Sequence, residues 1–237
     1  MKDEEIGFLI DEEDQSHQHR IYRSEAFPGS NVSARSLRQI LTDSQSLPPD
    51  ECLLKRHRLQ VAVILASSVL QLAGSPWLGS QFSTDDIYFH YKNGQIRGTD
   101  YSHPYLPWQR CCNMNTTSST EQSRLSRHMV RSEVLLALGL ALTELCFGRT
   151  LADMVKPEDT DTNDMATRTN TAIRLHRCVY QEMGTEYGDV VRRCLYQLFD
   201  VRELSLDIEE VQQRVLDDIV SPLVVSLNAF NECLNIR

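Results

Sequence analysis

Nowhere in this 237-residue chain does an apolar run reach the length of a membrane span, and its start, Met-Lys-Asp-Glu-Glu, lacks the basic residues and apolar stretch of a secretion signal. The expectation is a cytoplasmic protein with no membrane span. No CxxC or HxxxH spacing occurs, and Cys111-Cys112, the one cysteine cluster, is a poor metal pair because adjacent cysteines rarely ligate one ion. Neither a metal nor another cofactor is therefore expected. The seven cysteines are odd in number and scattered through apolar patterns, which reads as reduced thiols packed in a core. Positive charge is also short: 24 Lys and Arg against 33 Asp and Glu leave a formal charge of −9 and no long basic face. Sequence-independent binding to nucleic acid is excluded on that ground. No internal repeat and no heptad seam is visible. His57, His90, His103, His128 and His176 have no Ser or Cys nucleophile motif beside them, so no triad is read.

What the chain does have is a strong centre. From Val134 to Phe147 apolar residues fill nearly every position, and a helix apolar all round is either a membrane span or the middle of a core. These 14 residues extend about 21 Å as a helix, short of the roughly 30 Å of bilayer hydrocarbon, and Glu144 lies among them. A buried central helix follows. Ser132 and Glu133 supply its cap and first-turn acid, Gly148 its stop, and Arg149 a cation for the negative end of its dipole.

The remaining segments arrange themselves around it. Ile6 to Ile10 and Arg20 to Glu25 read as two strands, and Ser33 as the cap of a short helix carrying Leu37, Ile40 and Leu41. Pro48-Pro49-Asp50 opens a long helix that Gly74-Ser75-Pro76 ends, with Leu59, Ala62, Val63, Ala66, Val69, Leu70 and Ala73 as its buried stripe; Trp77 after it is expected to close the core. Ile87 to Tyr91 and Gln95 to Arg97 flank an Asn-Gly turn and predict a hairpin. Residues 102–128, rich in Ser, Thr, Asn and Gln, predict a flexible loop pinned at Tyr105 to Trp108. Beyond the central helix come an acidic surface loop, Lys156 to Asp164, and helices from Asp164 to Glu182, from Tyr187 to Phe199 and from near Asp207, the last kinked by Pro222. The fold class is thus mainly α with short β-hairpins.

In order and spacing these pieces resemble the C-terminal lobe of a protein kinase, and more closely a fungal family of kinase-like domains found behind HeLo-type helical domains. Ser36 to Leu41 is similar to the helix after the kinase hinge, Val63 to Leu72 to the helix before the catalytic loop, and Asp86-Ile87-Tyr88-Phe89 to the Asn-Ile-Leu strand. Gly98-Thr99-Asp100-Tyr101 falls where Asp-Phe-Gly would stand, and Ser132 to Arg149 is similar to the kinase hydrophobic helix, with its Leu138-Gly139 and Glu144-Leu145 pairs. Arg193-Cys194-Leu195 with Arg202 matches a late Cys-Leu and Arg pattern. Ser75-Pro76-Trp77-Leu78 and Pro104-Tyr105-Leu106 mark the fungal family. The resemblance implies a C-lobe-like helical domain over 31–237 and, in residues 1–30, a vestigial β segment of a truncated N-lobe.

Phosphoryl transfer needs a phosphate-binding Lys, a catalytic Asp, and an Asn and an Asp for Mg²⁺ under a glycine-rich cover. Here Pro76-Trp77-Leu78 occupies the His-Arg-Asp place, and neither a glycine loop nor a Val-Ala-Ile-Lys strand is present. The expected function is that of a non-catalytic, pseudokinase-like protein-interaction or regulatory module, which the fungal resemblance associates with self/non-self or cell-death signalling. Its partner would be another protein. The alternative is a nucleotide- or small-molecule-binding enzyme holding Mg²⁺ with Asp86 and Asp100. Trp77, Leu138, Gly139, Glu144 and Arg202 are expected to be structural.

Overall fold

Helix α1 (Leu37–Ser44) begins with a reciprocal cap: Gln39 N donates to Ser36 Oγ at 3.2 Å, and Ser36 N donates to Gln39 Oε1 at 3.0 Å. The computed structural model that shows this describes residues 4–10, 18–23, 32–44, 46, 52–72, 75, 78–79, 81–92, 101–106, 132–201 and 203–235. The cap corrects the expectation at Ser33, which lies instead in strand β3 (Val32–Ser36). β3 pairs antiparallel with β4 (Tyr88–Lys92), Ser36 opposite Tyr88 and Ala34 opposite His90. The second arm expected around the Asn-Gly turn, Gln95 to Arg97, lies outside the described residues. A separate antiparallel pair joins β1 (Glu4–Ile10) to β2 (Gln18–Arg23). The chain is accordingly mainly helical, with short antiparallel strand pairs.

The central helix, α3 (Glu133–Phe147), is buried at every position from Leu135 to Cys146. Ser132 Oγ accepts from Leu135 N, and Gly148 takes the left-handed conformation (φ 63°) that lets its N–H reach Glu144 O and Leu145 O. A cation from the neighbouring helix stands against its last carbonyls: Arg58 Nη1 donates to the carbonyls of Leu145 and Cys146. Sequence proximity points only to Arg149, whereas packing adds a side chain 87 residues away at the dipole's negative end.

Helix α2 (Lys55–Leu72) packs on α3, as do α4 (Asp164–Met183) and α5 (Thr185–Tyr196). α2 starts five residues later than Asp50, and Cys52 to Leu54 are not helical. Where α3 crosses α5, a Cβ on Gly139 would stand 2.8 Å from Cys194 Cβ, so only glycine permits the approach. Tyr187 is fully buried, its hydroxyl donating to Leu142 O at 2.8 Å, and burial raises its pKa well above 10. α5 ends before Phe199 because Gln197 adopts φ 51°; its side chain then pairs twice with the Ser132 backbone, accepting from N at 3.1 Å and donating to O at 2.7 Å.

The last helical stretch, α6 (Glu209–Val215) and α7 (Ser221–Asn235), is joined by one π turn, Leu216–Val220. Pro222 has no N–H for the carbonyl of Asp218, and its ring would press on that oxygen in a regular helix. The widened turn sends Ser221 N–H back to Leu216 O, and Arg193 Nη1 donates to the released Asp218 O at 3.4 Å. α7 lies against α2 and α5.

The acidic segment after α3 is not all surface. Asp159, at the end of a short 3₁₀ turn (Pro157–Asp159), is 3% exposed and receives Arg174 Nε at 2.9 Å and Nη2 at 2.7 Å. Lys156 N and Thr171 Oγ1 also donate to it, while Arg174 Nη2 donates to Met154 O at 2.7 Å. Local composition marked the segment as solvated; only the fold of α4 brings Arg174 to it. The thiols need a correction too, since Cys146 and Cys194 are core thiols whose pKa values burial pushes up to about 12, but Cys178 and Cys233 are exposed.

Candidate functional site

The turn that precedes β4 carries Asp86, the first of the two expected metal-binding acids. Asp86 is half-buried, and its Oδ2 accepts from Ser83 N at 2.8 Å and Ser83 Oγ at 3.1 Å, while its own N–H returns to Ser83 O at 3.1 Å. These are the reach-back bonds of a capping-box-like turn, which use the carboxylate to hold the turn's shape. Neighbouring Asp85 pairs with Arg38 at 2.8 Å, both about half exposed, a geometry that contributes little stability and raises the Arg38 pKa through the bond to Asp85. Asp100 lies outside the described residues, so Asp86 and Asp100 are not seen together. Trp77 and Arg202 lie outside them as well. Among the described residues no group of three His, Cys, Asp or Glu side chains is placed to hold a metal ion.

Beneath this turn Glu144 collects donors from two chain segments. Thr84 Oγ1 donates to Oε2 at 2.6 Å and Leu151 N to Oε1 at 2.8 Å, and Arg168 Nη2 stands 3.9 Å from Oε1. A carboxylate on an otherwise apolar helix is retained because each oxygen has a buried donor. Its chemical role is to tie α3 to the turn before β4, which in turn accepts Leu37 N and Arg38 N at its Ile87 and Thr84 carbonyls. Leu138 has no exposed surface and Gly139 sits at the α3–α5 crossing described above.

On the other side of this turn an apolar pocket of about 230 Å³ opens. One wall is a stripe of α2 at helical spacing, Leu65, Ser68, Val69 and Leu72. A second is Leu78, Phe82 and Ile87, and the third is Pro104, Tyr105 and Leu106. Tyr105 is fixed there by two backbone bonds with Tyr88, each 2.9 Å, and by stacking on His90 with ring centroids 4.4 Å apart. Tyr101, earlier in the same segment, is instead buried between His57 and Phe89, at 4.9 and 5.5 Å. Burial, aided by Arg56, lowers the pKa of His57, and burial with Tyr88 nearby raises that of Tyr105. Leu65, Ser68 and Leu72 lie within the Val63 to Leu72 segment with no local mark of a site, and Leu78 and Pro104-Tyr105-Leu106 belong to separate motifs; their meeting at one pocket is a tertiary fact.

A family model described as a domain of unknown function, DUF7580, matches residues 2–230. The chain belongs to this family. The match takes in the Asp86 turn, the Glu144 joint and all three walls of the pocket. No curated protein and no solved structure matches the chain significantly.

Proposed function

We propose that this DUF7580 domain is a non-catalytic, pseudokinase-like module, built on the plan of a kinase C-lobe, that acts in the cytoplasm through contacts with a protein partner. The observation that carries the reading is the Asp86 turn. Its carboxylate is engaged by Ser83 N and Oγ, and Leu78 stands in the sequence where a kinase places its catalytic base. A side chain of hydrocarbon neither orients a hydroxyl nor accepts its proton. On the same reading, the domain serves fungal self/non-self or cell-death signalling alongside a HeLo-type domain.

The test is thermal denaturation with millimolar ATP and Mg²⁺. A ligand at a hundred times its Kd stabilises the folded state by about 2.7 kcal/mol, a shift of roughly 5 to 10 °C for a chain of this size. No shift is expected, and Asp100→Asn should melt with the wild type. A shift of that size abolished by Asp100→Asn would establish the alternative, an enzyme binding nucleotide with Asp86, Asp100 and Mg²⁺. Affinity purification from the native host, read by mass spectrometry, is expected to recover a protein partner.

A further inference from the structure

The pocket beside α2 has walls of hydrocarbon, and its size is a chemical statement. A cavity of about 150 Å³ lined by Leu, Ile and Phe stays dry and takes up benzene; this one, at about 230 Å³, has room for a substituted ring or a folded chain of several carbons. We propose that it binds a compact neutral molecule, apolar apart from one hydroxyl or carbonyl group, of the class of substituted phenols and medium-chain alcohols.

The charge of the ligand follows from the lining, in which none of the side chains of the described residues is ionised. A carboxylate or ammonium entering there loses its water and gains no counter-charge, whereas a hydroxyl or carbonyl needs only one partner. Ser68 can be that partner. Serine and threonine within a helix commonly turn the hydroxyl to the carbonyl one turn back, as Ser67 does to Val63 O at 2.9 Å and Thr143 to Gly139 O at 2.8 Å. Ser68 lines the pocket, and among the described residues its hydroxyl makes no such bond. Tyr105 offers a second hydroxyl on a ring already fixed by Tyr88 and His90. The walls are anchored as well: Leu65, Val69, Phe82 and Ile87 are all buried, so little ordering cost attends binding. Nothing here depends on the non-catalytic reading above, which an ATP shift would overturn while leaving this pocket untouched.

The full chain, ¹³C-labelled at Leu and Ile methyl groups, tests it by NMR titration with p-cresol and 1-octanol, with octanoate as the charged counterpart. Expected are saturable shifts at Leu65, Leu72, Leu78 and Ile87, none at Leu142 and Leu223, which are not among the lining residues, and at least tenfold weaker binding of octanoate. Ser68→Leu adds hydrocarbon to the pocket from a half-buried position that tolerates it, and should weaken both neutral ligands at least tenfold. Absence of shifts up to the solubility limit of both ligands, shifts spread equally to Leu142 and Leu223, octanoate binding as tightly as octanol, or undiminished binding by a folded Ser68→Leu variant would each overturn the proposal.

Discussion

Replacing Asp159 with Asn removes one charge and little volume from a site where four groups donate to a single carboxylate. Arg174 Nε and Nη2, Lys156 N and Thr171 Oγ1 all point at it. Those bonds, the Arg174 guanidinium first, hold its pKa at about 2 against an ordinary 3.8. At 1.36 kcal/mol per tenfold change in proton affinity, that depression corresponds to about 2 kcal/mol of stability at neutral pH. Arg174 is 23% exposed, so solvent screening trims this figure. Against it works the partly buried guanidinium that Asn leaves without its counter-charge, which adds to the loss. A net destabilisation of about 2 kcal/mol, or a melting point lower by roughly 4 to 8 °C at pH 7, is the expected outcome. The pH dependence carries its own sign. Because the folded-state pKa is depressed, the contribution is fully present above pH 4 and is lost as pH falls towards 2. Urea denaturation of both proteins at pH 7, 5, 4, 3 and 2.5 should therefore show a gap that is constant down to about pH 4 and then closes. Curves that stay parallel through the acid limb, or equal stability at pH 7, would refute the assignment of Asp159 as a buried ion-pair acceptor.

Leu138→Asp places an unpaired charge at the centre of α3, where no surface is exposed, and should leave no soluble folded protein; normal near-ultraviolet circular dichroism would refute it. Glu144→Ala strips the acceptor from Thr84 Oγ1 and Leu151 N, two buried donors, and should cost about 3 kcal/mol in urea denaturation, with faster amide exchange at Leu151. Gly139→Ala gains helix propensity of about 1 kcal/mol but drives a Cβ to 2.8 Å from Cys194, and should be destabilising by about 1 to 2 kcal/mol; a more stable Gly139→Ala variant would show that α3 and α5 slide apart freely.

Much of this architecture was legible because it depends on local order. The run from Val134 to Phe147, with Ser132 before it and Gly148 after it, announces a buried helix, since burial all round and both caps are properties of consecutive residues. The separate helices at Asp164 to Glu182 and from Tyr187 onward are legible in the same way. The Ser36-to-Gln39 capping box is equally local, three residues beyond the Ser33 that the pattern suggested. What the tertiary structure alone decided involves partners distant along the chain. Arg58 donates to the end of α3, Arg174 draws Asp159 inside, and Arg193 satisfies the carbonyl that Pro222 cannot. The candidate pocket belongs to that second group, because Leu72, Leu78 and Leu106 become neighbours only when three segments meet. Periodicity and capping act over one or two turns, whereas ion pairs and pockets are settled by which faces pack. That choice is made by the whole core at once.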